Sequence, residues 1–299
     1  MKFLIVDAFT DTLFGGNPAG VVIIPAGQDF PKEEIMIKTA AELRYSETAF
    51  IKQLGEREFN IRYFTPAAEV ELCGHATIAS FSALLHLGMI ADNATYVNHT
   101  LAETINVKVE NGFVMMDMAT PMEINTISQE AALKELYEIM GIEYIPQSAK
   151  QLNGHQVTLL PKLISTGLPD IMMPVRTKKD LEKLAPNMSA LSDLSKKYSV
   201  VGVHAFTLDT CGDETVNCRN FAPLYDIDEE AATGTSNGAL TYYLYLNGLL
   251  KDTDKCKVIQ GEAMSRPSVI LTSIEATKEK CAIKVGGSAV ILAQGEIFI

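Results

Sequence analysis

The sequence predicts two similar α+β domains in one chain, and three observations carry that expectation. A pattern occurs twice: Arg62-x-Phe64-x-Pro66 precedes Gly74 by a short loop, and Arg219-x-Phe221-x-Pro223 precedes Gly234 in the same way, each glycine opening an apolar helical run. The chain has 299 residues, enough for two domains of about 150 residues each. Many strand-like segments surround a single apolar helix in each half, which argues against a doubly wound parallel sheet.

Taken in order, Phe3 to Phe9 has the alternation of a strand, Gly15-Gly16-Asn17-Pro18 marks a turn, and Ala19 to Ile24 returns as a second strand. Pro31 to Leu43 has helix composition, with Glu33 and Glu34 in its first turn where the dipole favours them. Ser46 to Ile51 and Phe59 to Phe64 are strands, and the loop holding Glu71-Leu72-Cys73-Gly74-His75 leads into the helical run Ala76 to Leu87. Strands at Thr104 to Glu110 and Phe113 to Met118 close the first half, and Pro121 begins a connector.

In the second half Glu130 to Gly141 is helical and ends at a capping glycine. Strands are expected at Leu159 to Thr166, Ile171 to Val175 and Val200 to Leu208, with helical stretches Lys179 to Leu184 and Met188 to Lys197 between them. Asn217 to Phe221 repeats the part of Phe59 to Phe64, and Ser236 to Leu246 repeats the central helix. Ser268 to Thr272, Cys281 to Val285 and Ala289 to Ile299 complete the strands.

Composition narrows the function classes. A net charge of -12 argues against nucleic acid and anionic membranes, which need a basic footprint. No apolar run has the length of a bilayer span. Met1 to Asp7 has the period of a strand and too short an apolar stretch for a secretory leader, so a cytoplasmic protein is expected. The cysteines, Cys73, Cys211, Cys218, Cys256 and Cys281, are sparse, odd in number and without a CxxC pair, which signals neither disulfide framework nor zinc site. His86, His99, His155 and His204 are scattered, so no metal is expected.

The chemistry-bearing candidates cluster around the duplicated glycines. A helix start offers unpaired N–H groups and a positive dipole end, so Gly74 and Gly234 each mark a place to hold an anion, such as a substrate carboxylate. Glu47, at the start of an otherwise apolar strand, is either a desolvated general base or a solvent-facing carboxylate. Cys73 and His75 flank Gly74, where a thiol is activated and an imidazole shuttles protons or holds a carboxylate; the alternative is a small buried cysteine beside a polar helix start. Asp226, Asp228, Glu229 and Glu230 form a charge run of the kind that usually faces solvent. Neither a Walker loop nor GxGxxG is present, and the absence of GxSxG disfavours a serine hydrolase.

Asp7-Ala8-Phe9, Gly16-Asn17-Pro18-Ala19-Gly20, Ser46-Glu47-Thr48-Ala49-Phe50, Gly74-His75-Ala76-Thr77, Thr233-Gly234-Thr235 and Gly286-Gly287 to Gly295-Glu296, in that order, resemble the PhzF family of phenazine-biosynthesis-type isomerases. The resemblance covers essentially the whole chain and implies the diaminopimelate epimerase-like fold: two pseudo-symmetric domains, each a curved, mostly antiparallel sheet wrapped around a central helix, with the active site in the cleft between them. The implied division is residues 1–120, joined by the returning strand 288–299, and residues 121–287. Glu47 matches the family's acid/base, His75 its assisting histidine, and Asn17, Gly74, His75, Gly234 and Thr235 lie at substrate-binding positions. Glu230 stands where many members carry Asp, so its longer side chain must reach the same point to join Glu47 and His75 in catalysis. Epimerase relatives use one cysteine from each domain; Cys73 matches the first, and Thr233 replaces the second.

The resulting expectation is a cofactor-independent isomerase that moves a proton within a small anionic, carboxylate-bearing metabolite, with a homodimer implied by the resemblance. The alternatives are a Cys73-dependent amino-acid epimerase or racemase, and a non-catalytic metabolite-binding protein with the same cleft.

Overall fold

The computed structural model describes residues 1–277 and 280–299. The chain divides into two compact units, the first comprising Met1–Asp117, Arg266–Val269 and Gly286–Ile299, the second Met118–Ser265 and Ile270–Val285. Among the described residues no helix is long and apolar enough to cross a membrane.

In the first unit the strand Lys2–Ala8 buries Leu4, Val6 and Ala8 on one face and pairs antiparallel on both sides, with Asn17–Ile23 and with Ala289–Glu296. Asn17–Ile23 then runs parallel to Thr48–Gly55, which turns back antiparallel into Glu58–Phe64. Glu58–Phe64 lies parallel to Ala94–His99, followed by the antiparallel pair Thr104–Glu110 and Phe113–Asp117. The turn of that last hairpin is Asn111-Gly112, with φ of 53° and 75°, the left-handed pair that matches the twist of a two-residue hairpin. Helix α1 (Glu33–Leu43) lays Met36 and Ala40 against Val22, Ile24, Phe50 and Phe64. Helix α2 (Gly74–His86) is buried from Gly74 through Leu84. Its run of Gly, Ala, Ser and Thr lets strands approach closely all round, and a charged side chain within it would have no water to face.

In the second unit the antiparallel strands Met122–Thr126, Lys162–Ser165 and Pro169–Pro174 are followed by Val203–Thr207, parallel to the last of them. Val216–Ala222 pairs antiparallel with Val203–Thr207 and Ile227–Glu230, and parallel with Lys255–Gln260. The alternation within Pro169–Pro174 separates two environments. Ile171 and Met173 join Leu133, Leu136 and Tyr137 of helix α3 (Glu130–Ile139), Leu181 of α4 (Lys178–Glu182), and Leu191 and Leu194 of α5 (Met188–Tyr198) in one core. Asp170 faces the other way, toward the buried helix α6 (Gly234–Leu246). Thr177 and Asn187 cap α4 and α5, accepting from Asp180 N–H at 3.1 Å and Ala190 N–H at 3.2 Å.

The pairings in each unit are mostly antiparallel, as expected. Several strands lie outside the sequence expectation: Ala94–His99, Gln147–Lys150 with Gln156–Leu159, and Lys255–Gln260. The connector after Pro121 contains the largely exposed strand Met122–Thr126, held by Lys162–Ser165. The charge run is also a strand end: Glu229 and Glu230 are only partly exposed, and Glu229 is paired.

The duplicated arginine performs the same task in each unit. Arg62 donates from Nε to Glu69 Oε1 at 2.7 Å and lies 5.2 Å over the Phe64 ring. Arg219 donates from Nε and Nη2 to Glu229 at 2.8 Å and lies 4.9 Å over Phe221. A forked, ring-stacked guanidinium is rigid, so each pair clips the strand that leads to the helix-start loop. Arg219 also donates to the carbonyls of Leu181 (3.1 Å) and Leu184 (2.9 Å), tying in the end of α4. Arg219→Ala is therefore expected to lower unfolding free energy by about 2 kcal/mol or more in urea titrations, and the Arg219→Ala/Glu229→Ala double variant to lose less than the two single losses added.

Candidate active site

Five of the sequence-selected residues, Asn17, Glu47, Cys73, Gly74 and His75, meet in the first unit. Asn17 opens its strand immediately after Gly16, whose φ is 63° and where a Cβ would lie 2.2 Å from the Ala8 carbonyl oxygen, so only glycine can make this turn. Arg266 grips the turn: Nε donates to Gly16 O at 2.8 Å, and Nη2 donates to Gly15 O and Asp7 Oδ1, each at 2.7 Å. Asp7 is fully buried, and its other carboxylate oxygen accepts from Phe14 N–H at 3.1 Å. The buried charge is thereby paired and hydrogen-bonded, and Asn17 is held in place.

His75 is the second residue of α2 and is 3% exposed. Burial pushes its imidazole down to about 4, so the ring is neutral near pH 7. Asn17 Nδ2 donates to Nδ1 at 3.2 Å, which makes Nδ1 the acceptor and leaves the proton on Nε2. Nε2 lies 3.2 Å from Glu47 Oε2 and 3.4 Å from Ser46 Oγ. The Nε2 hydrogen bond goes to Ser46 Oγ, and the Glu47 carboxylate stands against the same nitrogen at contact distance without hydrogen-bond geometry. Glu47, 8% exposed, precedes the strand Thr48–Gly55, and its carbonyl accepts from Gly20 N–H at 3.3 Å. Cys73, 7% exposed, places Sγ 3.4 Å from His75 Nδ1 and 3.9 Å from Nε2. Ligand atoms of Glu47, Cys73 and His75 all lie within 4.8 Å of one another, but the sulfur is nearer Nδ1 and the carboxylate approaches Nε2, so the three do not converge on one ion. The four other histidines lie elsewhere: His86 and His99 on exposed hydrogen bonds, His155 on the surface, and His204 in the second unit.

The start of α2 is braced from beneath. Thr77 Oγ1 donates to Cys73 O at 2.7 Å and lies 2.7 Å from Tyr63 OH, which in turn accepts from Asn98 Nδ2 at 3.0 Å. Cys73 is extended and gives no side-chain cap, so the first-turn N–H groups of α2 are not satisfied by the N-cap side chain.

The second unit repeats this frame with different chemistry. Thr233 takes the place of Cys73, is likewise extended, and gives α6 no side-chain cap. Its hydroxyl donates to Glu230 Oε2 at 2.7 Å. Gln260 braces the loop, donating to Glu230 O at 2.8 Å and accepting from Thr233 N–H at 3.2 Å and Asn237 Nδ2 at 2.8 Å. Gly234 is the buried first residue of α6, and Thr235 is fixed by its carbonyl, which accepts from Thr166 Oγ1 at 2.8 Å. The structure therefore brings Asn17, Glu47, Cys73, Gly74 and His75 together in one unit, and Glu230, Gly234 and Thr235 in the other.

Sequence reasoning missed the residues that hold these groups: Ser46, Arg266 and Gln260, and a buried chain beneath α6. In that chain Asp170, 2% exposed, accepts from Ser236 Oγ and from Gly202 N–H at 2.9 Å, while Asn220 Nδ2 donates to Ser236 Oγ at 3.2 Å and to His204 Nδ1 at 3.1 Å. Burial, with a smaller contribution from the Glu230 charge, pushes Asp170 up to about 7, and burial pushes His204 down to about 3. The detectable signal for Asp170 was an acid within the apolar run Ile171 to Val175 and its approach.

The sequence model of the family described as phenazine biosynthesis-like protein, PhzC-PhzF, matches residues 6–295. The chain belongs to the PhzF family. A PhzF-family relative from Clostridium acetobutylicum, named an uncharacterized isomerase, is 31% identical over 98% of this chain and 97% of its own. A PhzF-family phenazine biosynthesis protein from Bacillus anthracis superposes with a TM-score of 0.84 at 25% identity, covering 100% of this chain and 99% of the other. A probable proline racemase from Agrobacterium radiobacter shares the fold alone, with a TM-score of 0.64 at 13% identity over 100% of this chain and 93% of its own. These likenesses place the PhzF chain among isomerases and show its two-domain epimerase-like fold.

Asp170 and the two buried histidines, His75 and His204, pull stability in opposite directions with pH. A carboxyl raised in the folded state is protonated there while the unfolded state has already released its proton, so its contribution is full below about 4 and is lost as pH rises through about 7. Relative to the wild type, Asp170→Asn should therefore gain roughly 1.4 kcal/mol per pH unit between those limits. Unfolding free energies of both proteins measured across this range check the slope, and a constant difference would mean that Asp170 titrates normally.

Proposed function

We propose that this isomerase moves a proton within a small carboxylate-bearing metabolite, with Glu47 as the acid/base. The observation that carries the reading is the 3.2 Å approach of Glu47 Oε2 to Nε2 of a buried, neutral His75. A neutral ring packed against the carboxylate does not cancel its charge, as an imidazolium would, so Glu47 keeps the charge with which it takes a proton.

Glu47 removes a proton from a carbon activated by a neighbouring carbonyl or conjugated system, and the C–H electron pair moves into that system. Glu47 then returns the proton to another carbon of the same molecule, so the product is an isomer and no external oxidant, reductant or cofactor is consumed. His75 holds Glu47 in line through both half-reactions, and Asn17 holds His75 in the required tautomer. The N–H groups at the start of α2, around Gly74, stabilise the negative charge that develops on the substrate. In the second unit Gly234 and Thr235 are the proposed substrate-binding positions. Glu230 is the weaker acid/base candidate, since it receives the Thr233 hydroxyl hydrogen bond.

The closeness of Cys73 Sγ to the imidazole supports a second reading, a cysteine-dependent epimerase. It lacks an opposing thiol, because Thr233 stands at the equivalent helix start with its hydroxyl donating to Glu230. The two readings separate in deuterium uptake from D2O into a panel of small amino, hydroxy and unsaturated carboxylates. Wild-type uptake should fall by about 10²- to 10⁴-fold in Glu47→Gln. Uptake retained in Glu47→Gln and lost in Cys73→Ser would give the role to the thiol, and binding without uptake would leave a metabolite-binding protein.

A further inference from the structure

We infer that Gln260 is a positioning residue of this isomerase: it sets the direction of the Thr233 hydroxyl and through it keeps Glu230 a hydrogen-bond acceptor, so that Glu230 holds substrate and leaves both proton-transfer steps to Glu47. The kinetic half rests on the proposed role of Glu47; the bonding half rests on the second unit alone. Gln260 is fully buried at the end of the strand Lys255–Gln260, a position where an amide costs free energy unless its hydrogen bonds are made.

Two backbone groups fix that amide. Oε1 accepts from Thr233 N–H at 3.2 Å and Nε2 donates to Glu230 O at 2.8 Å, so exchanging oxygen and nitrogen would set donor against donor and acceptor against acceptor. The other bonds follow from this. Asn237 Nδ2 donates to Gln260 Oε1 and to Thr233 O, each at 2.8 Å, which leaves Asn237 Oδ1 to accept from the Cys218 thiol at 3.6 Å. The second hydrogen of Gln260 Nε2 goes to Thr233 Oγ1 at 3.1 Å, and the acceptor in reach of the hydroxyl's own hydrogen is Glu230 Oε2 at 2.7 Å. A hydroxyl beside a carboxyl can bond either way, since a protonated carboxyl also donates. Gln260 decides the direction, and a carboxylate that receives such a bond is favoured in its charged form.

The brace under α2 ends differently. Asn98 donates to Tyr63, Tyr63 bonds Thr77, and Thr77 donates to the Cys73 carbonyl, so that chain terminates on backbone and not on a carboxylate. The two acids are therefore held for different work. Gly234 and Thr235, the proposed substrate-binding positions, directly follow Thr233, so Gln260 sets the acceptor and the helix start together. The titratable groups packed around this network are Asp170, whose buried carboxyl feels the Glu230 charge, and Cys218 and His204 beneath α6; Glu229, next to Glu230 in sequence, is paired with Arg219.

Carbon-13 NMR of the full chain labelled at its glutamate carboxyls tests the bonding, with Glu230 assigned by its loss in Glu230→Gln. The Glu230 titration midpoint should move up by about one pH unit or more in both Gln260→Met and Thr233→Val, because each loses the hydrogen bond that favours the charged form. A midpoint unchanged in Gln260→Met overturns the inference, whatever Thr233→Val does. Deuterium uptake with the same panel of carboxylates tests the division of roles: Glu230→Gln and Gln260→Met should raise KM by about tenfold and leave kcat within about threefold. A kcat lowered about a hundredfold or more in Glu230→Gln would make Glu230 a proton donor, and a KM unchanged in both variants would remove its hold on substrate; either result overturns that division. If the wild type exchanges no proton, the reading of Glu47 as base falls, and the carbon-13 titration still decides for or against Gln260.

Discussion

The burial of one imidazole constrains most of this structure. Helix α2 is enclosed on all sides, and its second residue is His75, which must therefore be neutral and must find one donor and one acceptor within reach. Asn17 supplies the donor and Ser46 the acceptor, with the Glu47 carboxylate packed beside the same ring nitrogen. Each is fixed by backbone outside the helix: Asn17 by the glycine turn that Arg266 and Asp7 clamp, Glu47 by the strand that pairs beside it. The site is the meeting point of three segments, and its precision comes from strand register more than from the helix itself.

The two units show what duplication preserved and what it released. The arginine fork over phenylalanine, the extended residue before each helix and the glycine at its start occur in both. The side chains presented there differ. Cys73 and His75 have Thr233 and Thr235 as counterparts, so the first unit offers groups that titrate or ligate, and the second offers hydroxyls and a braced backbone. The frame is a common way of presenting a helix start, and the chemistry is an addition to it.

Much of this was legible in the amino-acid sequence for physical reasons. Asn17, Glu47, Cys73 and His75 sit where a turn, a strand entry and a helix start are visible from glycine, proline and apolar period, and the resemblance to PhzF proteins assigned them roles. The strands that escaped notice were polar or mixed: Ala94–His99 contains a buried Asn98, and Lys255–Gln260 buries Gln260 in place of an apolar residue. Those same polar residues brace the helix starts. The partners of a buried hydrogen-bond network are set by three-dimensional register, so Arg266 reaching Asp7, or Asp170 reaching Ser236, has no local signature. Half of the charge run before Gly234 faces solvent as expected, through Asp226 and Asp228, while Glu229 and Glu230 are drawn inward by Arg219 and Thr233.

The account turns on a neutral His75 that donates from Nε2. Nitrogen-15 NMR of histidine-labelled protein, with the His75 resonances assigned by their loss in His75→Gln, reads both the charge and the tautomer directly. The ring should remain neutral with its proton on Nε2 from about pH 5 to 8, because burial holds its ionisation near 4. A His75 that titrates near the ordinary value of about 6.5, or that carries its proton on Nδ1 throughout, would contradict the arrangement on which the role of Glu47 rests.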